Sequence, residues 1–226
     1  MGVFILIASH IGSQIRAKLV PETLLSIKES MFIDCHILVS YSVEEGISDP
    51  YIGVPYISAY KQPTRLAQFE HYQYLSAYIS PTDTVMFSDD DDLYGPKKVS
   101  KVLDAFSKHS HAQIVLHDAM CFGMFDEHLA SYKQVMSGQV KSHIFQAVEY
   151  FQYSVRGKVI IDFFKSNYWN PELHTPYTRG YQDIFFRMYL DKVSIESPVV
   201  HLPNHLVYKR ESRYPRDWLN FKSICG

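Results

Sequence analysis

The sequence is poor in cysteine, carries no excess of one charge and has no long apolar run. Its three cysteines, Cys35, Cys121 and Cys225, form no C-x-x-C pair among 226 residues. A set this sparse and odd argues against a disulfide framework and predicts a reducing compartment, the cytoplasm. With 22 Lys and Arg against 24 Asp and Glu, the formal net charge is −2. No overall basic field exists to gather nucleic acid, so none is expected as a partner. No apolar run reaches the ~18 residues that a membrane span needs. The opening Met1-Gly2-Val3-Phe4-Ile5-Leu6-Ile7-Ala8-Ser9 lacks the basic start of a signal peptide, and its apolar part is strand-sized. Leu6 stands where a myristoylation motif needs Ser or Thr. Internal repeats and low-complexity linkers are also missing. A soluble chain with one sizeable core is the expectation.

Aromatic residues are plentiful, at 15% with 17 Tyr and 14 Phe. They predict a ring-rich core, sugar-stacking surfaces, or both. Tyr168, Trp169, Tyr177 and Tyr181 form one such group.

Periodicity gives the elements. Val3 to Ala8 is a continuous apolar run and reads as a buried strand. Pro21 suits the first turn of a helix running to about Ser30. His36 to Val39 is a second strand. Pro63 opens a helix to about Tyr78, with Leu66, Phe69 and Leu75 on its apolar stripe. Thr84 to Phe87 is a third strand, and Pro96 starts a helix over Lys97 to about Lys108. Alternating strands and helices over the first ~110 residues imply a mostly parallel sheet with helices on its faces. In the second half, Ala112 to Leu116, Val199-Val200 and His205 to Tyr208 read as strands. Val155 to Phe164 and Tyr181 to Leu190 read as helices.

The most informative feature is Asp89-Asp90-Asp91-Asp92, directly after the third strand. Four like charges gathered at one strand end repel one another, so folding alone gives little reason for them. A hard divalent cation such as Mg²⁺ or Mn²⁺ gives a strong one, because oxygen ligands bind it. Ligands of open α/β sheets also bind at the carboxyl ends of strands. The competing reading is a solvated loop. Within the metal reading, Asp90 or Asp92 is as well suited to face solvent or cap the next helix.

Val85-Met86-Phe87-Ser88-Asp89-Asp90-Asp91-Asp92-Leu93-Tyr94-Gly95-Pro96 resembles the acidic signature of the family-2 glycosyltransferases of GT-A fold. Arg65-Leu66-Ala67-Gln68 is similar to that family's Arg-bearing segment before the acidic strand. Gln182-Asp183-Ile184-Phe185-Phe186-Arg187 resembles its late acidic helix start, with Gln for Glu. Tyr208-Lys209-Arg210 is similar to its closing basic segment. In compactness the chain resembles divergent members found among large algal viruses.

The resemblance implies one GT-A domain over residues 1–226, a single Rossmann-like mixed sheet flanked by helices. Residues to about 110 would bind the nucleotide sugar and about 111–226 the acceptor. The implied activity is metal-dependent transfer of a sugar from a UDP- or GDP-sugar to a hydroxyl of a glycan or glycoprotein. Asp91, with Asp89 and Asp92, would hold Mn²⁺ or Mg²⁺, and His201 is a further candidate ligand. Ser9, His10, Arg65, Asp89, Asp90, Lys209 and Arg210 would line the donor site. His117, Asp118 and Tyr181 would face the acceptor. Asp183 would act as general base, and a single base implies inversion at the anomeric carbon. Two features depart from the pattern. The second strand ends in Ser40-Tyr41-Ser42, with no acid for the nucleotide base, and the first strand leads into Ser9-His10. A non-catalytic sugar-nucleotide or glycan binder therefore stays open. A nucleotidyltransferase is less well supported, since only Gly12 and Arg16 follow the first strand in place of a Gly-rich or basic loop.

Overall fold

The computed structural model describes residues 1–31, 34–123, 142–144, 148–170 and 182–211. The first half holds the expected strands and helices and adds two short strands, Ile57–Lys61 and Leu93–Tyr94. Strand β1 (Val3–Ile11) leads to α1 (Gln14–Ser30), then β2 (His36–Val43), β3 (Ile57–Lys61), α2 (Gln68–Ser76), β4 (Thr84–Ser88), β5 (Leu93–Tyr94) and α3 (Lys98–Lys108). The second half holds β6 (Ile114–Gly123), β7 (Ser142–Ile144), β8 (Tyr153–Arg156), α4 (Gly157–Lys165), α5 (Gln182–Glu196) and β9 (Val199–Glu211).

Local chemistry sets several boundaries differently from the sequence reading. Helix α1 starts well before Pro21, because the Ser13 side chain accepts the Arg16 N–H at 3.2 Å and caps the helix. Pro21 thus sits inside the helix. Helix α2 starts after Pro63, where the Glu70 carboxylate accepts the Ala67 N–H at 2.6 Å. Val155 belongs to a strand, paired with Val85 on one side and Ile114 on the other. The helix begins two residues later at Gly157, where a Cβ would lie 2.0 Å from the Ser80 carbonyl oxygen. The two expected terminal strands are one, β9. Its register slips on both sides of Asp118, leaving Pro203, Asn204 and Leu206 unmatched. A bulge suits proline, which has no N–H to give the ladder.

Among the described residues the sheet order is β3-β2-β1-β4-β8-β6-β9-β5, with β7 beside β6. Strands β1 to β4 run parallel. Strand β8 is antiparallel to β4 and β6, β9 is parallel to β6, and β5 is antiparallel to β9. Part of the core is a ring cluster joining helices to sheet. Phe186 packs against Phe69, Phe87 and Phe163 at 5.3, 5.5 and 5.0 Å between centroids. Trp169 is buried against Phe163 and Phe164, which makes it a core residue. The chain order reverses between β1 and β4, and the carboxyl ends of those strands form the crevice where such sheets bind ligands.

Candidate active site

The acidic turn leaves β4 at that crevice, and its four carboxylates separate into distinct environments. Asp90 turns inward and is 1% exposed. Arg16 Nε and one terminal guanidinium nitrogen donate to its Oδ1 at 3.0 and 2.8 Å, and Ser9 Oγ donates to Oδ2. Thr23 Oγ1 donates to the Asp90 carbonyl at 3.1 Å. Burial pushes the Asp90 carboxyl up, while Arg16 and Ser9 oppose that shift. Burial also works against the Arg16 charge, but Asp90 and Asp91 outweigh it and hold the guanidinium above its ordinary value. Asp90 neither faces solvent nor caps a helix, because this pair consumes it. Replacing Arg16 with Met should therefore leave a buried unpaired carboxylate and cost about 3 kcal/mol or more of stability. Urea unfolding measures it, and the Arg16→Met/Asp90→Asn double variant should recover most of the loss. A single-variant cost under about 1 kcal/mol would show that the pair is dispensable.

The other three carboxylates remain for a cation. Asp89, Asp91 and Asp92 each present an oxygen, and these lie within 4.8 Å of one another. Asp91 is partly open, its side chain 31% exposed, with the Arg16 guanidinium 3.6 Å away. Burial, then Asp90, pushes its carboxyl up to about 6. Asp92 is buried, and its Oδ1 accepts the Arg210 N–H at 3.0 Å, tying the turn to β9. Its Oδ2 is buried with no hydrogen-bond partner among the described residues. Burial, then Asp91 and Asp89, pushes Asp92 well above the carboxylate range. A cation would satisfy the orphan oxygen and the repulsion together, so the donor set fits a hard divalent ion.

Beneath the turn lies Lys98, fully buried. Its Nζ donates to the Phe87 and Phe151 carbonyls at 3.3 and 3.1 Å and sits 3.8 Å from the Tyr94 ring centroid. Burial pushes it well below the lysine range. It ties the end of β4 to the 3₁₀ turn Tyr150–Gln152.

A cavity of about 840 Å³ opens over the strand ends. Ser9 and His10 from β1, Arg16, Arg65, Gln68 and His71 line it, as do Asp89, Glu149, Tyr150 and Asp183. Asp89 is fixed there by two groups. Gln68 Nε2 donates to its Oδ1 at 2.8 Å, and the Tyr150 hydroxyl donates to the same oxygen. Asp183 stands in the first turn of α5. Its neighbour Gln182 accepts the Phe69 N–H at 2.8 Å, which pins that turn to α2.

The structure thus brings together Ser9, His10, Arg65, Asp89 and Asp183 around one space, with Asp91 and Asp92 on the same turn. It does not bring His201 there. Its Nε2 lies 2.8 Å from Asp118 Oδ1, and both are well exposed. Leu93 pairs with Tyr208, seven residues further along β9, which is roughly 20 Å of strand. His117 is fully buried, with Nδ1 3.0 Å from the Asp118 carbonyl. Neither His117 nor Asp118 lines the cavity. Lys209 pairs with Glu149, and Arg210 is buried behind Asp91 and Asp92. Tyr181, like Tyr177, lies outside the described residues. Sequence reasoning gave no role to Tyr150 or His71 and none at the acidic turn to Arg16. Nothing local marks them, since each meets its partner through the fold.

No protein-family model matches the chain, and no curated protein matches its sequence. Its backbone is similar to that of S. aureus TarS. The structure of TarS 1-349 in complex with UDP matches with a TM-score of 0.60 at 11% identity, over 94% of this chain and 61% of that one. The complex with UDP-GlcNAc gives 0.61 at 12%, over 95% and 60%. A further TarS structure gives 0.62 at 12%, over 99% and 39%. This chain spans less than two thirds of the length of each. The likeness establishes the GT-A fold that the sequence resemblance implied.

Proposed function

We propose that this chain is a metal-dependent, inverting glycosyltransferase of hexosyl type, a divergent relative of family 2. It would move a sugar from a UDP- or GDP-sugar to a hydroxyl of a glycan or glycoprotein acceptor in the cytoplasm. One observation carries the reading. Three carboxylates at the β1/β4 crevice fit a cation at one wall of the cavity that Asp183 also lines. The fold's solved neighbours with UDP and UDP-GlcNAc support the donor class.

Asp91, with Asp89 and Asp92, would hold Mn²⁺ or Mg²⁺, which when bound neutralises charge on the leaving diphosphate. The rest is the work of the chain's own groups. Tyr150 and Gln68 hold Asp89 in one rotamer, leaving its second oxygen for the ribose or the ion. Arg65 offers forked donors to phosphate at the cavity edge. Asp183 takes the proton of the acceptor hydroxyl as that oxygen bonds to the anomeric carbon. The bond from that carbon to the diphosphate breaks on the opposite face, so configuration inverts. Holding both reactants in line supplies the remaining advantage.

A thermal-shift panel of nucleotide sugars tests this. At a hundredfold excess over Kd, ligand adds about 2.7 kcal/mol of native-state stability. For a chain of this size that is a rise of about 5–10 °C. UDP-GlcNAc or a GDP-sugar should give it with Mn²⁺ and lose most of it in EDTA. A panel with no shift from any nucleotide sugar would remove the donor reading, and a shift indifferent to EDTA would remove the metal.

A further inference from the structure

Strand β2 brings no acid to the cavity, yet the wall beside it is not inert. His71, from α2, lines the cavity while only 1% exposed. Its Nδ1 lies 2.8 Å from Ser40 Oγ, and Gln62 Nε2 donates to that same oxygen at 3.0 Å. A serine hydroxyl has one proton to give. Ser40 is buried, and among the described residues its proton has no acceptor but His71 Nδ1, so the ring proton sits on Nε2. Burial, then His10, lowers His71 to about 4, so the ring is neutral at pH 7. Nε2 is buried and has no hydrogen-bond partner among the described residues. A buried donor without a partner is costly unless a ligand meets it.

Position says which part of a ligand that is. Ser40 pairs with Ala8 of β1, and β1 lies between β2 and β4. Two strand spacings separate β2 from β4, roughly 10 Å. The acidic turn at the β4 end suits the diphosphate and its cation. A nucleoside reaching from there across β1 places its base at Ser40 and His71. A neutral N–H there matches an uncharged carbonyl rather than a phosphate.

We propose that His71 reads the nucleobase of the donor, its Nε2–H donating to a ring carbonyl of uracil or guanine. Ser40 and Gln62 are positioning residues that fix the donor tautomer. The inference rests on the nucleotide-sugar reading above and deepens it, giving base selection to a helix α2 donor in place of a strand β2 acid. Adenine, which has no carbonyl, is disfavoured.

Calorimetric titration with Mg²⁺ and UDP, GDP, ADP or inorganic pyrophosphate tests it. Wild type should bind UDP or GDP at least tenfold more tightly than ADP. His71→Leu should weaken the preferred nucleotide roughly tenfold or more and leave pyrophosphate within twofold. His71→Gln, which keeps an N–H, should recover part of the loss. On wild type, imidazole ¹⁵N shifts should report the Nε2–H tautomer, with that proton moving downfield on adding UDP or GDP but not pyrophosphate. Equal weakening of nucleotide and pyrophosphate, an unchanged nucleotide affinity in His71→Leu, or an Nδ1–H tautomer overturns the assignment while leaving the donor site standing. Wild type that binds neither pyrophosphate nor any nucleoside diphosphate takes the donor-site reading down with it.

Discussion

Asp183→Asn should lower sugar transfer by about 10²- to 10⁴-fold while leaving UDP-sugar affinity within about twofold. The substitution is nearly isosteric, so cavity shape and the pinning of Gln182 to Phe69 persist. What disappears is the capacity to accept a proton. Asp183 stands in the first turn of α5, at the positive end of a helix dipole. The same field would stabilise any acid there, so placement alone does not separate a base from a helix-terminal charge. Kinetics does. A structural acid changed to Asn alters the melting temperature and little else. A base changed to Asn alters turnover at constant affinity, the pattern of an interaction made only in the transition state. Transfer retained within fivefold would move the base elsewhere on the cavity wall. Wild type that binds donor but never turns it over would make the chain a binder rather than an enzyme.

The acidic turn was legible in the sequence because it contradicts its surroundings: an apolar strand does not ordinarily empty into four carboxylates. The direction each one faces was not legible. Asp90 points inward because Arg16, 74 residues earlier, reaches it from α1. Asp92 is held by the backbone of Arg210, 118 residues later. Such pairings are set by sheet order, which no local pattern encodes. The same cause hid β5, a two-residue strand whose only reason to exist is its partner Tyr208-Val207. His201, a candidate ligand on the resemblance, is placed by the fold elsewhere. A bulge at Pro203 interrupts β9, which carries His201 to Asp118 and far from the turn. Strands β1 and β4 were readable because they are buried and run apolar almost without interruption, whereas β3 at the sheet edge is largely exposed and carries no such run. The missing acid on β2 left base recognition without an owner in the sequence, and the contact that β2 does make there, Ser40 to His71 of α2, has no local mark.

Asp91→Ala should abolish Mn²⁺-dependent donor binding, reduce transfer to background, and raise the melting temperature of the metal-free protein by a few degrees. The opposite signs come from one charge. Without a cation, Asp91 shares a turn with Asp89, Asp90 and Asp92, and burial, then Asp90, pushes its carboxyl up to about 6. The folded state thus binds this proton more tightly than the unfolded chain, whose carboxyl titrates near the usual value. At pH 7 the ionised side chain works against folding, and its removal helps. With a cation the same charge becomes a ligand, and its loss should weaken Mn²⁺ by about a hundredfold, measurable by titration of the manganese resonance signal. Neighbours on the turn should behave differently. Asp90→Asn strands Arg16 and lowers stability with or without metal. Asp92→Asn keeps the oxygen that accepts the Arg210 N–H and removes a carboxyl that burial also pushes up, so the apo protein should lose no stability. A structural cluster would make all three substitutions destabilising in the apo protein. A rise at Asp91, paired with lost manganese affinity, is the signature of a position whose charge serves a ligand and opposes the fold.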